Sequence, residues 1–343
     1  MWRLTHDLGI DLGTANVLIY ERGRGIILRE PAVVAVDKNT AKVLQVGRAA
    51  KNMLGRTPGN VVALHPLKDG VVSDYQMTEK MLTQFFKKVI PYTLIKPRVI
   101  VSVPSGITEV EERAVIQAAM EAGARRVYLM EEPLAAALGS SLDIHGSGGH
   151  MVVDIGGGTT DIAVMTMGDV AISASTKIAG QTFDKEIVRY LRRRYNLTIG
   201  DGVAEELKIA IGGLWERNEE LTSTVKGRDA KTGLPRDVTI TSQELIDVLK
   251  RAMRPILEQI VSVLEQTSPE LVADIGNHGI VLTGGGAQLW GVDMIITQRT
   301  GVTCTIANEP ETAVVLGCGK SLKELSNLHE GTINIARKRL LKE

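Results

Sequence analysis

The sequence predicts an α/β protein with two related lobes around a cleft. Its 343 residues exceed what one hydrophobic core usually supports, so two domains are expected. Apolar runs bounded by glycine or proline alternate with helical patterns, which indicates an α/β chain. Two segments, starting at Leu8 and Met151, share one pattern: an apolar strand, an aspartate, a glycine-rich turn and a second strand. Their wide spacing is typical of a duplicated domain.

The individual elements follow from the same patterns. Strands are predicted at Leu8–Ile10, Val17–Tyr20, Ala32–Val36, Val99–Val103, Val127–Met130, Met151–Ile155, Ile162–Met165 and Ile280–Thr283. Helices are predicted at Met77–Val89, Thr108–Ala122, Pro133–Leu138, Phe183–Tyr195, Val203–Gly212, Thr241–Gln266 and Glu311–Leu325. Thr108 with Glu111, and Thr241 with Glu244, form capping boxes at two helix starts. Pro255 is expected to kink or divide the longest helix.

Composition narrows the class of protein. Forty basic and forty acidic side chains give a formal net charge of zero, which argues against nucleic acid as a partner. Cys304 and Cys318 lack metal-ligand spacing, which favours reduced thiols over a disulfide framework. No apolar run reaches the length of a membrane span. We therefore expect a cytoplasmic protein whose membrane contacts, if it has them, are local.

Two glycine-rich turns predict phosphate-binding loops. Asp11–Asn16 and Gly156–Thr159 each lie between two apolar strands. In such a turn, successive backbone N–H groups point into one concavity, where phosphate oxygens can accept them. Each turn alone is as compatible with simple hairpin geometry as with phosphate binding. Two facing turns, however, can hold a polyphosphate from both sides.

Asp11 and Asp154 end the first strand of each hairpin pattern, which places two carboxylates beside the same phosphates. Carboxylates repel phosphates unless a cation lies between them. Mg²⁺ suits this place, bound through water, because it keeps most of its waters and needs only one or two protein carboxylates. The alternative, that both aspartates merely cap turns, does not explain their pairing.

A third glycine run, Thr283–Ala287, follows an apolar strand. Without side chains, the backbone can be approached closely by a flat ligand such as a nucleotide base. The run is equally consistent with an ordinary strand-to-helix turn. It favours a nucleotide only in combination with the other two turns.

These three segments, in this order, resemble the two phosphate loops and the adenosine segment of the actin and Hsp70 superfamily. Within it, further motifs are similar to the MreB/Mbl family of bacterial actin-like rod-shape-determining proteins: Gly9–Asn16, Arg56–Gly59, Pro66–Val71, Glu131–Pro133, Gly227–Asp229 and Gly233–Pro235. The similarity runs from about Asp7 to Leu325.

The resemblance implies a duplicated ribonuclease-H-like fold, that of the actin-like ATPases, with two lobes around a nucleotide cleft. Lobe I is expected at residues 1–145, with a small inserted subdomain at about 30–95. Lobe II is expected at 146–330, with an insert at about 180–250. A C-terminal tail would occupy 331–343.

The resemblance also implies ATP and Mg²⁺ as cofactors and assigns residues to them. Phosphate contacts are expected from Thr14, Ala15, Asn16, Gly157, Gly158 and Thr159. Ribose and adenine contacts are expected from Glu205, Glu206, Lys208, Gly284, Gly285, Gly286 and Ala287, although Gln288 and Trp290 depart from the family pattern. Glu132 is expected to orient the attacking water, assisted by the Thr159 hydroxyl. Without the family, complementarity to a helix dipole is the simpler interpretation of Glu131 and Glu132.

The function implied by the resemblance is that of a filament-forming, slow ATPase that organises cell-wall elongation and determines rod shape. Its expected partners are further copies of the chain in paired filaments, lipid of the inner membrane and membrane proteins of cell-wall elongation. Membrane contact is expected at Trp2, Leu4, Leu94 and Ile95, which places the protein peripherally at the inner face of the membrane.

Two other classes share the fold and stay open on sequence alone. An Hsp70-like chaperone ATPase has the same phosphate loops, but little chain follows the last motif to form a substrate-binding domain. A sugar or acetate kinase would need an acceptor pocket and an acid/base group in the cleft, and would consume ATP only with its acceptor.

Overall fold

The computed structural model describes residues 6–91 and 95–326. The sequence predictions at Trp2, Leu4 and Leu94, and the tail at 331–343, lie outside the described residues. Within the described ranges, no helix combines the length and the apolar character needed to cross a bilayer.

Strands make up the larger number of elements in the described part of the chain. They are β1 (Asp7–Leu12), β2 (Asn16–Glu21), β3 (Gly25–Pro31), β4 (Val34–Asp37), β5 (Val43–Val46), β6 (Val61–Leu64), β7 (Leu67–Lys68), β8 (Val71–Val72), β9 (Arg98–Val103), β10 (Arg126–Glu131), β11 (His150–Ile155), β12 (Thr160–Thr166), β13 (Asp169–Thr176), β14 (Leu197–Thr198), β15 (Thr222–Asp229), β16 (Pro235–Thr241), β17 (Ile280–Thr283) and β18 (Cys304–Ile306).

Helices connect these strands. They are α1 (Arg48–Lys51), α2 (Tyr75–Val89), α3 (Glu109–Glu121), α4 (Glu132–Gly139), α5 (Gly180–Tyr195), α6 (Asp201–Ile211), α7 (Ser242–Gln266), α8 (Pro269–His278), α9 (Val292–Thr300) and α10 (Ala313–Ser321), with short 3₁₀ helices at Gly285–Gln288, Pro310–Thr312 and Glu324–Ser326.

Two five-stranded sheets have the same construction. Their strand orders are β10-β9-β1-β2-β3 and β18-β17-β11-β12-β13. In each sheet the first strand of the hairpin pattern, β1 or β11, pairs antiparallel with the next strand and parallel with a later one. The duplication predicted from the two aspartate-containing segments is therefore present in the topology, and each aspartate is the residue before the last of the equivalent central strand.

Helices α4 and α10 pack between the two sheets, and each contacts the sheet of the other half of the chain. α4 follows the first sheet in the chain but contacts β11 and β12, whereas α10, near the end of the described chain, contacts β1 and β2. The two helices approach closely, since a Cβ on Gly317 would lie 1.8 Å from the Ala135 carbonyl oxygen. Their apolar residues form one core cluster with residues of both sheets. This helix pair therefore joins the two halves at the base of the site.

Smaller sheets flank the central ones. β5-β4-β6 and the β7-β8 ribbon lie within the first half, and β14-β15-β16 lies within the second. The three-stranded sheets fall inside the ranges in which the sequence analysis places inserted subdomains. In the chain, α1 lies between β5 and β6, and α6 lies between β14 and β15.

The predicted elements are largely confirmed, with boundary differences. Both capping boxes are present, at Thr108 and Thr241. Pro255 was expected to kink or divide its helix; it lies inside α7, which runs undivided from Ser242 to Gln266, and a kink stays a prediction. The predicted strand Ala32–Val36 spans the junction between β3 and β4. The predicted helix Glu311–Leu325 is a regular helix only over α10, flanked by 3₁₀ turns.

Candidate functional site

The two glycine-rich turns lie face to face. The first joins β1 to β2 and the second joins β11 to β12. A Cβ on Gly157 would lie 2.6 Å from the Ala15 Cβ atom, and one on Gly158 would lie 2.4 Å from Thr14 Oγ1. Real Cβ atoms do not approach so closely, so glycine is required at both positions. The second turn therefore presents its bare backbone to the first.

The turn between β7 and β8 forms a third wall. Its Gly70 N–H donates to Thr14 Oγ1 at 2.8 Å. A Cβ on Gly70 would lie 2.9 Å from Thr159 Cγ2, and both Asp69 and Gly70 have positive φ, at 50° and 78°. Positive φ is uncommon for a non-glycine residue and marks a turn held by its surroundings. This turn therefore contacts both candidate phosphate turns at once.

Carboxylates converge beneath these turns; those of Asp154 and Asp161 are buried and that of Asp11 is half-buried. Asp11 accepts a hydrogen bond from Ser102 Oγ at 3.2 Å, and Asp154 accepts one from Thr283 Oγ1 at 2.7 Å. Asp161, opposite Asp154 in the β11–β12 register, accepts the Ser105 backbone N–H at 2.8 Å. These three strand carboxylates are joined by a fourth from the start of α4.

That fourth carboxylate belongs to Glu132, the first residue of α4, which is buried. Burial is the largest cause that raises its pKa well above the usual range, followed by the negative charges of Asp161, Asp11 and Asp154. A carboxyl group next to other carboxylates holds its proton until nearby positive charge offsets them. The state of Glu132 therefore depends on what neutralises its neighbours.

The pKa values of the three aspartates are also raised. Burial, and then the charge of Asp154, raise the pKa of Asp11 to about 7. Burial raises the pKa of Asp154 to about 6, although the Thr283 hydrogen bond opposes it. Burial raises the pKa of Asp161 to about 7. Carboxyl groups with strongly shifted pKa values that cluster in a cleft are typical of a functional site, because burying them costs folding free energy.

The donor set fits a cation bound through water. In the described part of the chain, no three His, Cys, Asp or Glu side chains are arranged to hold a metal directly. The buried Oδ2 atom of Asp161 has no hydrogen-bond partner. Carboxylates with spare acceptor capacity beside phosphate-binding turns suit Mg²⁺, which keeps several waters and is shared with phosphate oxygens.

Helix α6 contributes the residues expected at the ribose and adenine. Glu205 is held by Lys51 of α1, with a 2.6 Å distance between Lys51 Nζ and Glu205 Oε2. This ion pair connects α1 in the first half of the chain with α6 in the second half. Lys208 pairs with Asp184 at 2.8 Å and donates to the Gly180 carbonyl oxygen at 3.0 Å, beside the second phosphate turn. Glu206, one position from Glu205, is exposed.

The third glycine run packs against the second phosphate turn. A Cβ on Gly284 or Gly286 would approach atoms of Ile155 to 2.3 Å, whereas one on Gly285 would meet nothing within 4 Å. Gly285 therefore faces open space, and Ala287 is fully buried in the core. Trp290 lies at the surface, with the Arg217 guanidinium 4.7 Å from its ring centroid.

Sequence reasoning missed several residues that the structure brings here. Asp161 has a detectable signal, because a hairpin register through Gly156–Thr159 places it opposite Asp154. Lys51 carries no signal, since its partner Glu205 is 154 positions away and one surface lysine resembles another. Gly70 was recognised only as part of a family motif.

Comparisons with known proteins agree with this architecture. The family model described as MreB/Mbl protein matches residues 5–330. Cell shape-determining protein Mbl of Bacillus cereus is 49% identical over 325 residues, covering 94% of this chain and 97% of that protein. Crystal structures of MreB5 of Spiroplasma citri, bound to ADP and to AMPPNP, have a TM-score of 0.90 and 36% identity over 95% of this chain, covering 99% and 98% of those chains.

A more distant structure, the MamK double helical filament, has a TM-score of 0.80 at 22% identity, covering 94% of this chain and 99% of that one. At this identity the likeness shows the fold alone, which is actin-like. Fold alone does not decide function. The family model matches nearly the whole chain, and the chain therefore belongs to the MreB/Mbl family of cell shape-determining proteins.

Proposed function

We propose that the chain is an ATP-dependent, filament-forming protein that binds the inner face of the cell membrane and organises cell-wall elongation to determine rod shape. The observation that carries the nucleotide part is the convergence of two facing glycine turns over a buried carboxylate cluster. The ligands of the Spiroplasma citri MreB5 structures, ADP and AMPPNP, support adenine nucleotides as occupants.

ATP would lie with its phosphates between the two turns. Backbone N–H groups of Thr14, Ala15 and Asn16 on one side, and of Gly157, Gly158 and Thr159 on the other, would receive the phosphate oxygens. Asp11 and Asp154 would hold Mg²⁺ through bound water molecules, and the metal ion would supply positive charge to the phosphates. Glu205 and Lys208 would contact the ribose and adenine, with Gly285 leaving room for the base.

Hydrolysis would use Glu132. Water attacks the terminal phosphorus, the bond to the bridging oxygen breaks, and ADP, inorganic phosphate and one proton result. Glu132, once its neighbours are neutralised, accepts a hydrogen bond from that water and orients it, and the Thr159 hydroxyl assists. Because Glu132 is buried, its side chain is held in one position. The same burial, next to other carboxylates, favours its protonated form and so limits the rate of hydrolysis, which fits a slow ATPase.

Filament formation would be coupled to closure of the two lobes around the nucleotide. A triphosphate in contact with both turns favours the closed arrangement of the lobes, and hydrolysis removes part of that contact. Head-to-tail contacts between closed copies do not close on themselves and extend into filaments. The MamK filament supports self-association for a chain of this fold.

The proposed activity is tested by phosphate release from ATP with Mg²⁺, with and without sugars or acetate. We expect slow, acceptor-independent release that rises when protein concentration passes the threshold for assembly. Release that occurs only when an acceptor is added would contradict the proposal and support a kinase.

Membrane binding is tested at Leu94 and Ile95, the residues for which the sequence predicts membrane contact. Ile95 is half-buried and is followed by the exposed Lys96, a combination suited to a bilayer surface. Changing Leu94 and Ile95 together to Ser should reduce co-sedimentation with anionic liposomes severalfold, because filament avidity multiplies each small loss. Exposed Leu234, on the β15–β16 hairpin, provides the control Leu234→Ser. Equal sedimentation of both variants would place the membrane site elsewhere.

The Lys51–Glu205 ion pair gives a further prediction. If Glu205 must leave Lys51 to hold the ribose, Lys51→Ala should speed association of a fluorescent ATP analogue in stopped-flow measurements. The pair is partly exposed, so the gain should be modest, up to about fivefold. Lys38→Ala, which loses only a bond to the Gly59 carbonyl oxygen, is the control. Slower association in Lys51→Ala would show that the pair helps binding.

A further inference from the structure

Two segments pack against each other directly after the two elements proposed to hold adenosine. One follows α6, and the other follows the 3₁₀ helix Gly285–Gln288. A Cβ on Gly213 would lie 3.2 Å from Trp290 Cδ1, and one on Gly291 would lie 2.4 Å from the Cβ atom of Trp215. Each tryptophan therefore packs on a glycine of the other segment. We call these two tryptophans and two glycines the tryptophan junction.

Hydrogen bonds and a stacked cation strengthen the tryptophan junction. Gly213 and Trp290 form a parallel β-bridge, beside which the Leu214 N–H donates to the Trp290 carbonyl oxygen at 2.7 Å. The Arg217 guanidinium lies 4.7 Å from the centroid of the Trp290 ring and donates to the Gly212 carbonyl oxygen at 3.0 Å. A guanidinium over an aromatic ring is attracted by the negative face of the ring. Arg217 therefore joins Trp290 to the end of α6.

The tryptophan junction lies one backbone turn from proposed adenosine contacts on both sides. The Gly212 N–H donates to the Lys208 carbonyl oxygen at 2.9 Å, and the Leu289 N–H donates to the Gly286 carbonyl oxygen at 3.1 Å. A Cβ on Gly212 would lie 3.2 Å from Leu289 Cδ1, so the two segments are already close at this point. A displacement at the junction therefore reaches Lys208 and Gly286 through one turn each.

The two elements proposed to hold adenosine pack on different parts of the structure. Helix α6 packs on α5 and β15, whereas the 3₁₀ helix Gly285–Gln288 packs on the strands β11 and β17 of the central sheet. The tryptophan junction ties the two elements to each other directly. It therefore acts on their separation, which sets the space left for a base between Lys208 and Gly285.

We propose that Trp290 is a positioning residue for the nucleoside: together with Arg217 it holds the 3₁₀ helix Gly285–Gln288 at the distance from α6 at which both elements contact adenosine. The proposal rests on the ATP binding proposed above. The phosphate turns and Glu132 belong to other elements, so the tryptophan junction contributes to the affinity for ATP and not to the rate of its cleavage.

Calorimetry of ATP binding with Mg²⁺, and single-turnover cleavage at saturating ATP, separate these two quantities. Trp290→Ala should weaken ATP binding about tenfold, since a misplacement of about 1 Å in a site can cost more than that. Trp290→Tyr keeps an aromatic ring beside Arg217 and should bind ATP within about twofold of the unaltered protein. Cleavage at saturating ATP should stay within about twofold of the unaltered protein in both variants, because the elements that hold the phosphates are unchanged.

Two further variants complete the test. Met294→Ala is the matched control, because Met294 is 41% exposed, close to the 40% of Trp290, and lies on α9 outside the tryptophan junction. It should keep the full affinity for ATP. Arg217→Gln removes the stacked cation and leaves Trp290 in place, and it should weaken ATP binding about threefold. This variant carries the test if a melting curve shows that Trp290→Ala does not fold.

Unchanged affinity in Trp290→Ala and Arg217→Gln would overturn the positioning role, and so would slower cleavage at saturating ATP with unchanged affinity. An equal loss of affinity in Met294→Ala would also overturn it, because the effect would then belong to the whole region and not to the tryptophan junction. Absence of ATP binding in the unaltered protein would instead overturn the proposed nucleotide site, and the positioning role with it.

Discussion

Glu132→Gln is expected to bind ATP with near-normal affinity and to hydrolyse it about 100-fold more slowly or worse, since a positioned general base contributes at least that much. The amide has the same shape, so the packing at the start of α4 is kept, but it is a far weaker base than the carboxylate. Single-turnover cleavage measures the loss, and equilibrium binding of a fluorescent ATP analogue measures the affinity.

The neighbouring residue supplies a matched control. Glu131 caps α4 without a side-chain bond to the helix backbone, and it accepts a hydrogen bond from Ser105 Oγ at 3.2 Å. Glu131→Gln should leave cleavage within about threefold of the unaltered protein, as expected for a residue that acts on the helix dipole. Equal losses in the two variants, or unchanged turnover in Glu132→Gln, would remove Glu132 from the mechanism.

Asp154→Asn is expected to weaken Mg²⁺-dependent ATP binding by about tenfold or more, the usual cost of losing a carboxylate that holds a metal through its outer shell. The amide oxygen can still accept the Thr283 hydroxyl, so the fold should be kept. Without Mg²⁺ the variant should be at least as stable as the unaltered protein, because a buried, repelled charge has been removed.

The readout for Asp154→Asn is the increase in Tm produced by ATP with Mg²⁺. Asp237→Asn, at an exposed carboxylate that faces Lys226 at 3.9 Å, is the control and should keep the full increase. An unaltered increase in Asp154→Asn would refute the metal role of the pair. The corresponding change Asp11→Asn should behave in the same way, since Asp11 holds the equivalent position in β1, one residue before its end.

The direction of the pH dependence follows from the raised pKa values. Between the ordinary aspartate pKa of 3.8 and about 7, folded Asp11 holds a proton that the unfolded chain has lost. Stability of the metal-free protein should therefore fall as pH rises through this window. Affinity for Mg²⁺ should rise over the same window, because the metal requires the deprotonated carboxylates.

Sequence patterns were sufficient to predict those elements whose conformation depends on neighbouring residues in the chain. The Asp–Gly turns and capping boxes use residue types that few other conformations favour, so β1, β2, β11 and β12 could be predicted from them. The β15–β16 hairpin was missed because its exposed strands are rich in charged and polar residues. Helix α8 was missed because it is short, and α9 because it is short and weakly periodic.

Other features depend on distant parts of the chain. The contacts of α4 and α10 depend on close packing of two helices far apart in sequence. The pairing of Lys51 with Glu205 depends on how α1 and α6 face each other. The pKa values of Glu132 and Asp161 arise from burial, which no local pattern reveals. Such effects follow only from the assembled fold.

We propose that nucleotide binding at the two turns drives assembly on a membrane. Electron microscopy of the negatively stained protein on lipid monolayers, with ATP and Mg²⁺ and with nucleotide withheld, tests it most directly. We expect paired filaments on the lipid only when nucleotide is present. Dispersed monomers under both conditions, in a preparation that still cleaves ATP, would contradict the claim and leave the fold and the nucleotide site without a role in filaments.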